Sequence, residues 1–417
     1  MNDPFPVLET HAEPLGPAFD LLAAYLPPMG VFFERRGRGV AGATAFPALT
    51  LGAADPSGLA NVVDLLRSSQ LRGHDVRPVA MGAIGFRRDG TRLHQLVIPR
   101  KAVRRDHRGQ AWRLDTNDLR DEAEDPPVSE RVSGGVPHEP FTEIQLHDFP
   151  PADDYEAAVR ESVKRIRGGE LRKVVLARTI EVTAGREFDP RLLAHRLRAV
   201  DPDAYTFAAP TDEGVLVGAS PELLVSRRGL EVRSNPLAGS APRSGDPDED
   251  RANADTLIGS SKDREEHGIV VEAVADTLRP FCTELTWDPE PVLRETPNIW
   301  HLSTRFRGVL KEPAPSALEL VAELHPTPAV AGTPRDAAME TIAELEPFDR
   351  GRYAGPVGWI DAEGDGEWAI ALRCAELRHD RATLYAGAGI VADSDPAREL
   401  DETARKFRAF LDALRWG

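Results

Sequence analysis

Apolar and polar positions become regular from residue 155 onward and predict helices and strands there. Residues 155–167 place Ala158, Val159, Val163 and Ile166 on one face, which predicts an amphipathic helix that ends at a glycine pair. The next segment, LRKVVLARTIEV, has the β-branched composition of a strand, and its residues alternate between two faces. Further strands follow with irregularly placed helices between them. This order predicts an α+β fold, because a doubly wound fold would require strict alternation of strands and helices.

The first 150 residues carry weaker patterns and little recognisable chemistry. They predict strands around 31–33, 79–86 and 93–98, helices near 19–26 and 60–71, and a long acidic loop over 115–151. That loop is rich in Pro, Gly and Ser, which is typical of a connection at the surface.

Residues 263–281 predict a helix on which one stripe changes from apolar to acidic. Asp263, Glu266, Val270 and Val274 follow one another at steps of three and four residues, so they share a face. The valines would face the core, whereas a surface helix normally carries its acids on the opposite side. Because inward-facing carboxylates are costly without a positive partner, the pattern predicts a cation beside them.

A second helix with the same property is predicted near the C-terminus. Asp395 can cap its first turn, and Pro396 suits the position that follows. The buried stripe of this helix is expected to comprise Leu400, Phe407, Leu411 and Leu414. The residues aligned along the edge of the stripe are Glu399, Glu402 and Lys406.

Two helices that each offer a pair of acids suggest a site for a hard divalent cation. The chain has few clustered His or Cys residues, which disfavours zinc and favours Mg²⁺ with retained waters. Two solvated helix faces with ordinary acids would give the same spacing. The spacing alone leaves both interpretations open.

Two further residues are candidates for proton transfer. Lys173 lies at the start of the strand segment, on a face of small residues that we expect to be half-buried. The alternative is a lysine at a strand start whose side chain extends to water. Glu222 follows a predicted turn at Ser220 and Pro221 and precedes an apolar run, so partial loss of water would raise its pKa toward that of a general acid. A surface glutamate beside a turn is the alternative for Glu222.

Two glycine-containing segments are candidates for contact between the backbone and a ligand. NPLAGSAPR, residues 235–243, predicts a loop of small residues that allows close approach. GAGIV, with Gly387 and Gly389, lacks the third glycine of a dinucleotide fingerprint, but its amides could receive a carboxylate.

Composition narrows the class of protein. A net charge of −17 over 417 residues argues against nucleic acid or an anionic membrane as the main partner, and an anionic substrate would need local positive charge. Cys282 and Cys374 are the only cysteines, so we expect a reducing compartment. The N-terminus resembles no targeting signal and no segment reaches membrane-spanning length, so we expect a cytoplasmic protein.

These segments together resemble the chorismate-utilising enzymes, the family that includes anthranilate, aminodeoxychorismate, isochorismate and salicylate synthases. The motifs that carry the resemblance are KVVLAR, GASPELLV, NPLAGSAPR, KDREEH, HLSTRFRG, LHPTPAVAGTP, GRYAGPVGW, IALRCAEL, YAGAGIVADSDP and ELDETARKF. They occur in the family's order from residue 155 to the C-terminus. The resemblance implies a large β-sheet sandwich with helices packed outside. It also implies a single domain over 1–417, in which 1–150 is the less informative part and 155–417 carries the catalytic motifs.

The resemblance assigns roles by position. Lys173 matches the base that activates water for attack at C2 of chorismate, and Glu222 matches the acid that protonates the departing C4 hydroxyl. Mg²⁺ is the implied cofactor, and the residues that match its site are Glu266 and Glu402, with Asp263 and Glu399 as their second acids. Asp263 stands where several relatives have Glu, and this shorter side chain suggests a contact through water. The residues that match the substrate pocket are Ala238, Gly239, Ser240, His301, Tyr353, Arg373, Gly387, Gly389 and Lys406.

Two positions distinguish members of the family. Relatives that add ammonia carry Gln where this chain has Lys173, so water is the expected nucleophile. Salicylate-forming and amine-forming relatives tend to carry Thr where this chain has Ala329. We therefore expect the Mg²⁺-dependent isomerisation of chorismate to isochorismate. The sequence leaves open whether the product enters a siderophore, a menaquinone or another pathway. The alternatives are a salicylate synthase and a catalytically silent binding relative. We expect chorismate to be the small-molecule substrate and the protein to be a monomer. We expect no nucleic acid, membrane or amidotransferase subunit as a partner.

Overall fold

The computed structural model describes residues 7–16, 19–45, 49–51, 56–87, 94–119 and 144–415. In chain order the strands are β1 (Leu8–Leu15), β2 (Val31–Arg35), β3 (Arg38–Ala45), β4 (Leu49–Leu51), β5 (Gln70–Gly73), β6 (Val79–Ala83), β7 (His94–Val97), β8 (Pro99–Arg105), β9 (Ala111–Asp118), β10 (Ile144–Phe149), β11 (Lys173–Ala184), β12 (Tyr205–Pro210), β13 (Val215–Ser220), β14 (Leu223–Arg228), β15 (Glu231–Asn235), β16 (Leu237–Pro242), β17 (Cys282–Trp287), β18 (Val292–Glu295), β19 (Ile299–Ser303), β20 (Phe306–Leu310), β21 (Gly332–Thr333), β22 (Pro356–Asp361), β23 (Gly366–Ile370), β24 (Cys374–Arg378) and β25 (Arg381–Ile390).

The helices lie between these strands. They are α1 (Pro56–Arg67), α2 (Ala152–Arg167), α3 (Pro190–Val200), α4 (Pro247–Gly259), α5 (Ser261–Leu278), α6 (Ala317–Leu324), α7 (Arg335–Leu345) and α8 (Pro396–Arg415), with 3₁₀ turns at Leu21–Ala24 and Arg279–Phe281. No helix within the described ranges is long and apolar enough to span a membrane.

Two large sheets and one small sheet organise the described residues. The first has the order β10-β11-β25-β24-β13-β12-β2-β3-β8-β9-β1-β5, with β21 also paired to β11. The second has the order β17-β20-β15-β14-β23-β22-β6-β7-β4, and the small third sheet has the order β16-β19-β18. Strands from the N-terminal third pair with later strands in both large sheets. In the first sheet β2 pairs with β12, and in the second β6 pairs with β22.

Apolar side chains of both large sheets belong to one buried cluster, which includes Phe207 of the first sheet and Trp368 of the second. A second buried cluster joins the other face of the first sheet to α3 and α8, where Leu193 and Phe407 contribute. The first sheet is therefore covered on both faces, by a sheet on one side and by helices on the other. This arrangement confirms the predicted α+β sandwich with helices packed outside.

Burial on both faces corrects the prediction for the strand that begins at Lys173. Every residue from Lys173 to Ile180 is buried, whereas the sequence predicted a half-buried surface. Sequence alternation could not show this, because α7, which lies far along the chain, packs against the strand together with the neighbouring α2.

Two predicted loops also differ from the structure. The segment predicted as a small-residue loop contains strand β16, which pairs with β19 and has a register shift at Gly239, where φ is +70°. The predicted loop over 115–151 overlaps the end of β9 and all of β10, and its residues 120–143 lie outside the described part of the chain. The small and polar residues of these segments have little strand propensity of their own, so the sequence did not predict strands there. Pairing with other strands stabilises them in the fold.

Candidate active site

A cavity lies where β16, β19, β25, α5 and α8 meet. It collects side chains from segments that are more than 200 residues apart in the sequence, between Val175 and Lys406. The predicted site residues that line it are Glu222, Ala238, Gly239, Ser240, Glu266, His301, Ala329, Tyr353, Arg373, Gly387, Gly389, Glu402 and Lys406. Three predicted residues do not line it: Lys173, Asp263 and Glu399.

Lys173 lies directly behind the cavity wall, at the start of β11. Its side chain is fully buried, and its Nζ lies 2.9 Å from Oε1 of Glu266. The angles do not satisfy a hydrogen bond, so the ammonium is ion-paired without a hydrogen-bond acceptor. A buried ammonium in this state is costly, which makes the lysine dependent on the charge of Glu266.

Gly389 on β25 explains how these two side chains come together. A Cβ at this position would lie 2.1 Å from Oε1 of Glu266 and 3.1 Å from Cε of Lys173. Only a glycine therefore leaves the space that the carboxylate occupies.

Glu222 occupies the connection between β13 and β14 and is buried, with its amide donating to Oγ of Ser220 over 3.2 Å. Burial raises the pKa of its carboxyl to about 8, although the Leu237 amide and the charges of Lys173 and Lys406 act in the opposite direction. Glu222 is consequently protonated at neutral pH. A protonated carboxylic acid in a cavity wall can donate a proton to a leaving group.

The predicted acids of α8 are held by lysines. Nζ of Lys406 donates to Oε1 of Glu402 over 2.6 Å and to the carbonyl of Gly387 over 2.8 Å. Nζ of Lys262, on α5, donates to Oε1 of Glu399 over 3.0 Å and so links the two acidic helices. Burial opposes the ionisation of Glu402, but Lys406 and the Ser240 hydroxyl outweigh it and lower its pKa. Burial and the charge of Glu402 raise the pKa of Glu399.

The remaining acid, Asp263, lies behind the backbone of Gly239. A Cβ on Gly239 would lie 3.0 Å from Cβ of Asp263, and the positive φ of this residue also favours glycine. Burial raises the pKa of Asp263, with further contributions from Glu266 and Glu402. These electrostatic effects show that acids from both helices converge.

The donor set fits a hard divalent cation bound through few protein ligands. Glu266 and Glu402 line one cavity, and Asp263 and Glu399 lie behind them. No group of three or more His, Cys, Asp or Glu residues in the described ranges is arranged to hold a metal by itself. Mg²⁺ typically uses one or two carboxylates and takes its other ligands from water and substrate.

His301 and Arg373 form a hydrogen-bonded pair on the other wall. Nη2 of Arg373 donates to Nε2 of His301 over 3.1 Å, and Nδ1 of His301 donates to the carbonyl of Gly239 over 3.1 Å. Burial, and then the charge of Arg373, lower the pKa of His301 to about 3, so the neutral ring accepts and donates as described. Arg373 has φ of +50°, a strained conformation of a kind that is concentrated at functional sites.

Two tyrosines form a stacked pair in the cavity wall. The rings of Tyr353 and Tyr385 are nearly parallel, with centroids 5.0 Å apart, and a Cβ at Gly387 would lie 3.1 Å from Oη of Tyr353. Tyr385 is not among the residues that the sequence predicted for the site. Strand alternation could have found it, because positions 385, 387 and 389 lie on one face of β25.

Comparison with known proteins agrees with this geometry. The model of the family described as "Chorismate binding enzyme" matches residues 112–415. The chain belongs to the chorismate binding enzyme family. The sequence resemblance is thereby confirmed at the level of the family.

Members of the chorismate binding family resemble this chain over most of its length. Isochorismate synthase DhbC of Bacillus subtilis (strain 168) is 42% identical over 360 residues, which are 85% of this chain and 84% of the relative. Isochorismate synthase EntC of Escherichia coli (strain K12) is 43% identical over 272 residues, 65% of this chain and 69% of the relative. The structure of MenF, the menaquinone-specific isochorismate synthase from Escherichia coli, has a TM-score of 0.82 at 25% identity and covers 98% of this chain and 95% of that one.

Proposed function

We propose that this chain is an isochorismate synthase, which converts chorismate to isochorismate. The observation that carries the proposal is the buried Glu222, whose pKa of about 8 keeps it protonated in the same cavity that Glu266, Glu402 and Lys406 line. Relatives from several bacteria are named isochorismate synthases, which supports this activity over other reactions of the family.

In the proposed reaction, Lys173 and Glu222 move one proton each. Lys173, whose ammonium pairs with Glu266 in the protein alone, first releases a proton to solvent, and its free amine then accepts a proton from the water whose oxygen forms the new bond to C2 of the ring. The ring double bonds shift, the bond between C4 and its hydroxyl breaks, and Glu222 gives its proton to that hydroxyl. One water enters and one water leaves, so the overall reaction is an isomerisation.

We assign the acids to a Mg²⁺ site, with Glu266 and Glu402 as ligands and Asp263 and Glu399 as supporting acids. When bound, the ion supplies charge neutralisation and polarises the carboxylate on the substrate ring. Lys406 and Lys173 balance the charges of Glu402 and Glu266 in the protein alone. These ion pairs hold the two carboxylates in place.

The remaining cavity residues are proposed to bind chorismate, which is a dianion. Arg373 and Lys406 supply positive charge, and Tyr353 with the backbone of Gly387 and Gly389 would hold the enolpyruvyl carboxylate. The residues proposed to line the ring are Ala238, Gly239, Ser240 and His301. Burial lowers the pKa of Arg373 to about 10, which still leaves it charged at neutral pH.

Ala329 and Lys173 favour isochorismate as the final product. Ala329 lines the cavity with a methyl group, so no hydroxyl is present there to assist the elimination of pyruvate. Lys173 stands where relatives that use ammonia have glutamine, and water as nucleophile requires no amidotransferase subunit. We propose that the protein is a monomer and that it forms one domain over 1–417. The pairing of N-terminal strands with later strands supports the single domain.

The test is to incubate purified protein with chorismate and Mg²⁺ and to identify the product by chromatography, with EDTA as the control. We expect isochorismate, and loss of the reaction in EDTA. Salicylate as the major product would replace the proposal with salicylate synthase. No consumption of chorismate with any divalent ion would favour a binding protein without activity.

A further inference from the structure

One edge of strand β11 has a gap in its strand pairing beside the active site. Along the opposite edge, β25 pairs with residues 174–183 without interruption. On the edge with the gap, β21 pairs with residues 173–174 and β10 pairs with residues 179–184, and no described strand pairs with the stretch between them. The backbone groups of that stretch need other partners, because an unpaired N–H or C=O inside a protein is costly.

The ion pair of Arg350 and Glu346 supplies these partners. Nη2 of Arg350 donates to the carbonyl of Val175 over 2.7 Å, and the amide of Ala177 donates to Oε1 of Glu346 over 2.7 Å. Nε of Arg350 donates to Oε2 of Glu346 over 2.9 Å, and the two side chains are only 2% and 3% exposed. The guanidinium carbon also lies 4.3 Å from the ring centroid of Phe86, which further restricts its position.

The same guanidinium holds the loop that carries Ala329. Its Nη1 donates to the carbonyl of Val330 over 2.8 Å. A backbone hydrogen bond of 2.8 Å from Val175 to Ala331 joins this loop to β11 at one point, and the guanidinium joins them at a second. Val175 and Val330 line the active-site cavity, whereas Arg350 does not. A side chain outside the cavity therefore fixes two of its walls relative to each other.

These two walls carry the residues that favour the proposed product. Lys173 lies two positions before Val175 on β11, and Ala329 lies immediately before Val330. A guanidinium suits this bridge because its planar group presents five donors at fixed angles, whereas the ammonium of a lysine is a compact point charge. A lysine could pair with the carboxylate but could not reproduce the contacts to both carbonyls.

We propose that Arg350, held by Glu346, is a positioning residue that sets Lys173 and the loop of Ala329 at the separation that the reaction requires. The inference rests on the proposed function, because it requires Lys173 to act on the bound ring. A displacement of about 1 Å in a reacting group can cost about 100-fold in rate. Since Arg350 lies outside the cavity, its replacement should misplace the base and leave the groups that bind substrate and metal in place.

The test compares Arg350→Lys with the control Arg104→Lys. Arg104 also forms an ion pair, with Asp361 over 2.8 Å, and packs on the ring of Trp359, but none of these three residues lines the active-site cavity. Steady-state kcat and KM for chorismate are measured at a temperature at which thermal unfolding shows each variant to be folded. Calorimetry measures the affinity for Mg²⁺.

We expect Arg350→Lys to lower kcat by about 10- to 100-fold, with KM and the Mg²⁺ affinity within about threefold of the wild type. Arg104→Lys should keep the wild-type kcat. A purely structural role for Arg350 would lower the thermal stability and leave kcat and KM of the folded protein unchanged. Equal kcat values for the Arg350→Lys and Arg104→Lys variants therefore overturn the inference.

Arg350→Ala provides a second test by chemical rescue. A cavity lined by Phe86, Glu346 and Arg350 shares no lining residue with the active site and includes the exposed Ala343 and Pro347, so guanidinium ion can reach this position from solvent. Guanidinium chloride, at concentrations that leave the wild-type kcat unchanged, should raise kcat of this variant about tenfold, and sodium chloride at the same ionic strength should not. A folded variant without rescue overturns the inference, and failure of both Arg350 variants to fold assigns the pair to stability alone and overturns it as well.

Amide hydrogen exchange tests the contacts without turnover. Peptides that cover residues 174–178 and 327–333 should exchange faster in Arg350→Lys than in the wild type, and at the wild-type rate in Arg104→Lys. Wild-type protein that does not consume chorismate would overturn the proposed function. In that case faster exchange in Arg350→Lys still supports the bridge between the two segments, and unchanged exchange overturns it.

Discussion

Replacement of Glu222 by Gln tests the electrostatic basis of the site. Burial raises the pKa of this carboxyl from 4.5 to about 8, a difference of about 3.5 pH units. At about 1.4 kcal/mol per unit, ionised Glu222 costs the folded state on the order of 5 kcal/mol. Gln has nearly the same shape and cannot ionise, so the variant avoids this cost.

The direction in which the stability changes with pH follows from proton binding to Glu222. Between pH 4.5 and about 8 the folded state holds a proton on Glu222 that the unfolded state has released. The stabilising contribution of this proton is complete below pH 4.5 and is lost as the pH rises to about 8. We therefore expect the free energy of unfolding of the wild type to fall over this range relative to that of Glu222→Gln, by up to about 5 kcal/mol.

Urea titrations across this pH range would measure the difference, with Glu340→Gln on the exposed side of α7 as a matched control. The control should follow the wild-type curve. In turnover assays at pH 7, Glu222→Gln should lower kcat by about 10² to 10⁴ while chorismate still binds. Wild-type kcat should fall as the pH rises through about 8. Parallel stability curves for wild type and Glu222→Gln, or near-normal turnover of the variant, would refute the assignment.

Three further changes test the metal and the base. Lys173→Ala should lose most turnover yet retain chorismate binding by calorimetry, and near-normal turnover would reject the lysine as base. Without metal, its free energy of unfolding should be about 3–5 kcal/mol lower than that of the wild type, because Glu266 is left buried and unpaired. Glu266→Ala should shift the dependence of activity on Mg²⁺ to higher concentrations, and an unchanged titration would exclude this carboxylate as a ligand. Gly389→Ala should weaken Mg²⁺ binding measured by calorimetry, because its methyl group would lie 2.1 Å from Oε1 of Glu266. Gly268→Ala on α5 meets nothing within 4 Å and is its control, so equal Mg²⁺ affinity of these two glycine variants would contradict the steric argument.

Local patterns predicted much of the fold because they depend on neighbours in the sequence. The helix predicted over 263–281 appears as α5 (Ser261–Leu278) followed by a 3₁₀ turn, and the C-terminal helix appears as α8 (Pro396–Arg415). The interior position of Val270 and Phe407 follows from the same periodicity. These features need only helical spacing and side-chain polarity.

Contacts between residues that are far apart in the sequence could not be predicted from it. Lys262 belongs to a recognised motif, yet nothing local indicates that it would hold Glu399, which lies 137 positions away. The small-residue segment around Gly239 looked like a loop because its strand character comes from pairing with β19. The stacking of Tyr385 on Tyr353 was missed as well, because the two tyrosines lie on segments that meet only in the folded chain.

The sequence by itself determined the spacing of the acid pairs, their place on two helices, and the family to which they belong. The tertiary structure decided that Glu266 and Glu402 line one cavity, that a lysine lies against each of them, and that Glu222 keeps its proton. Spacing is a property of the covalent chain and of helical geometry. Desolvation and charge pairing depend instead on which distant segments cover a side chain, and only folding brings those segments together.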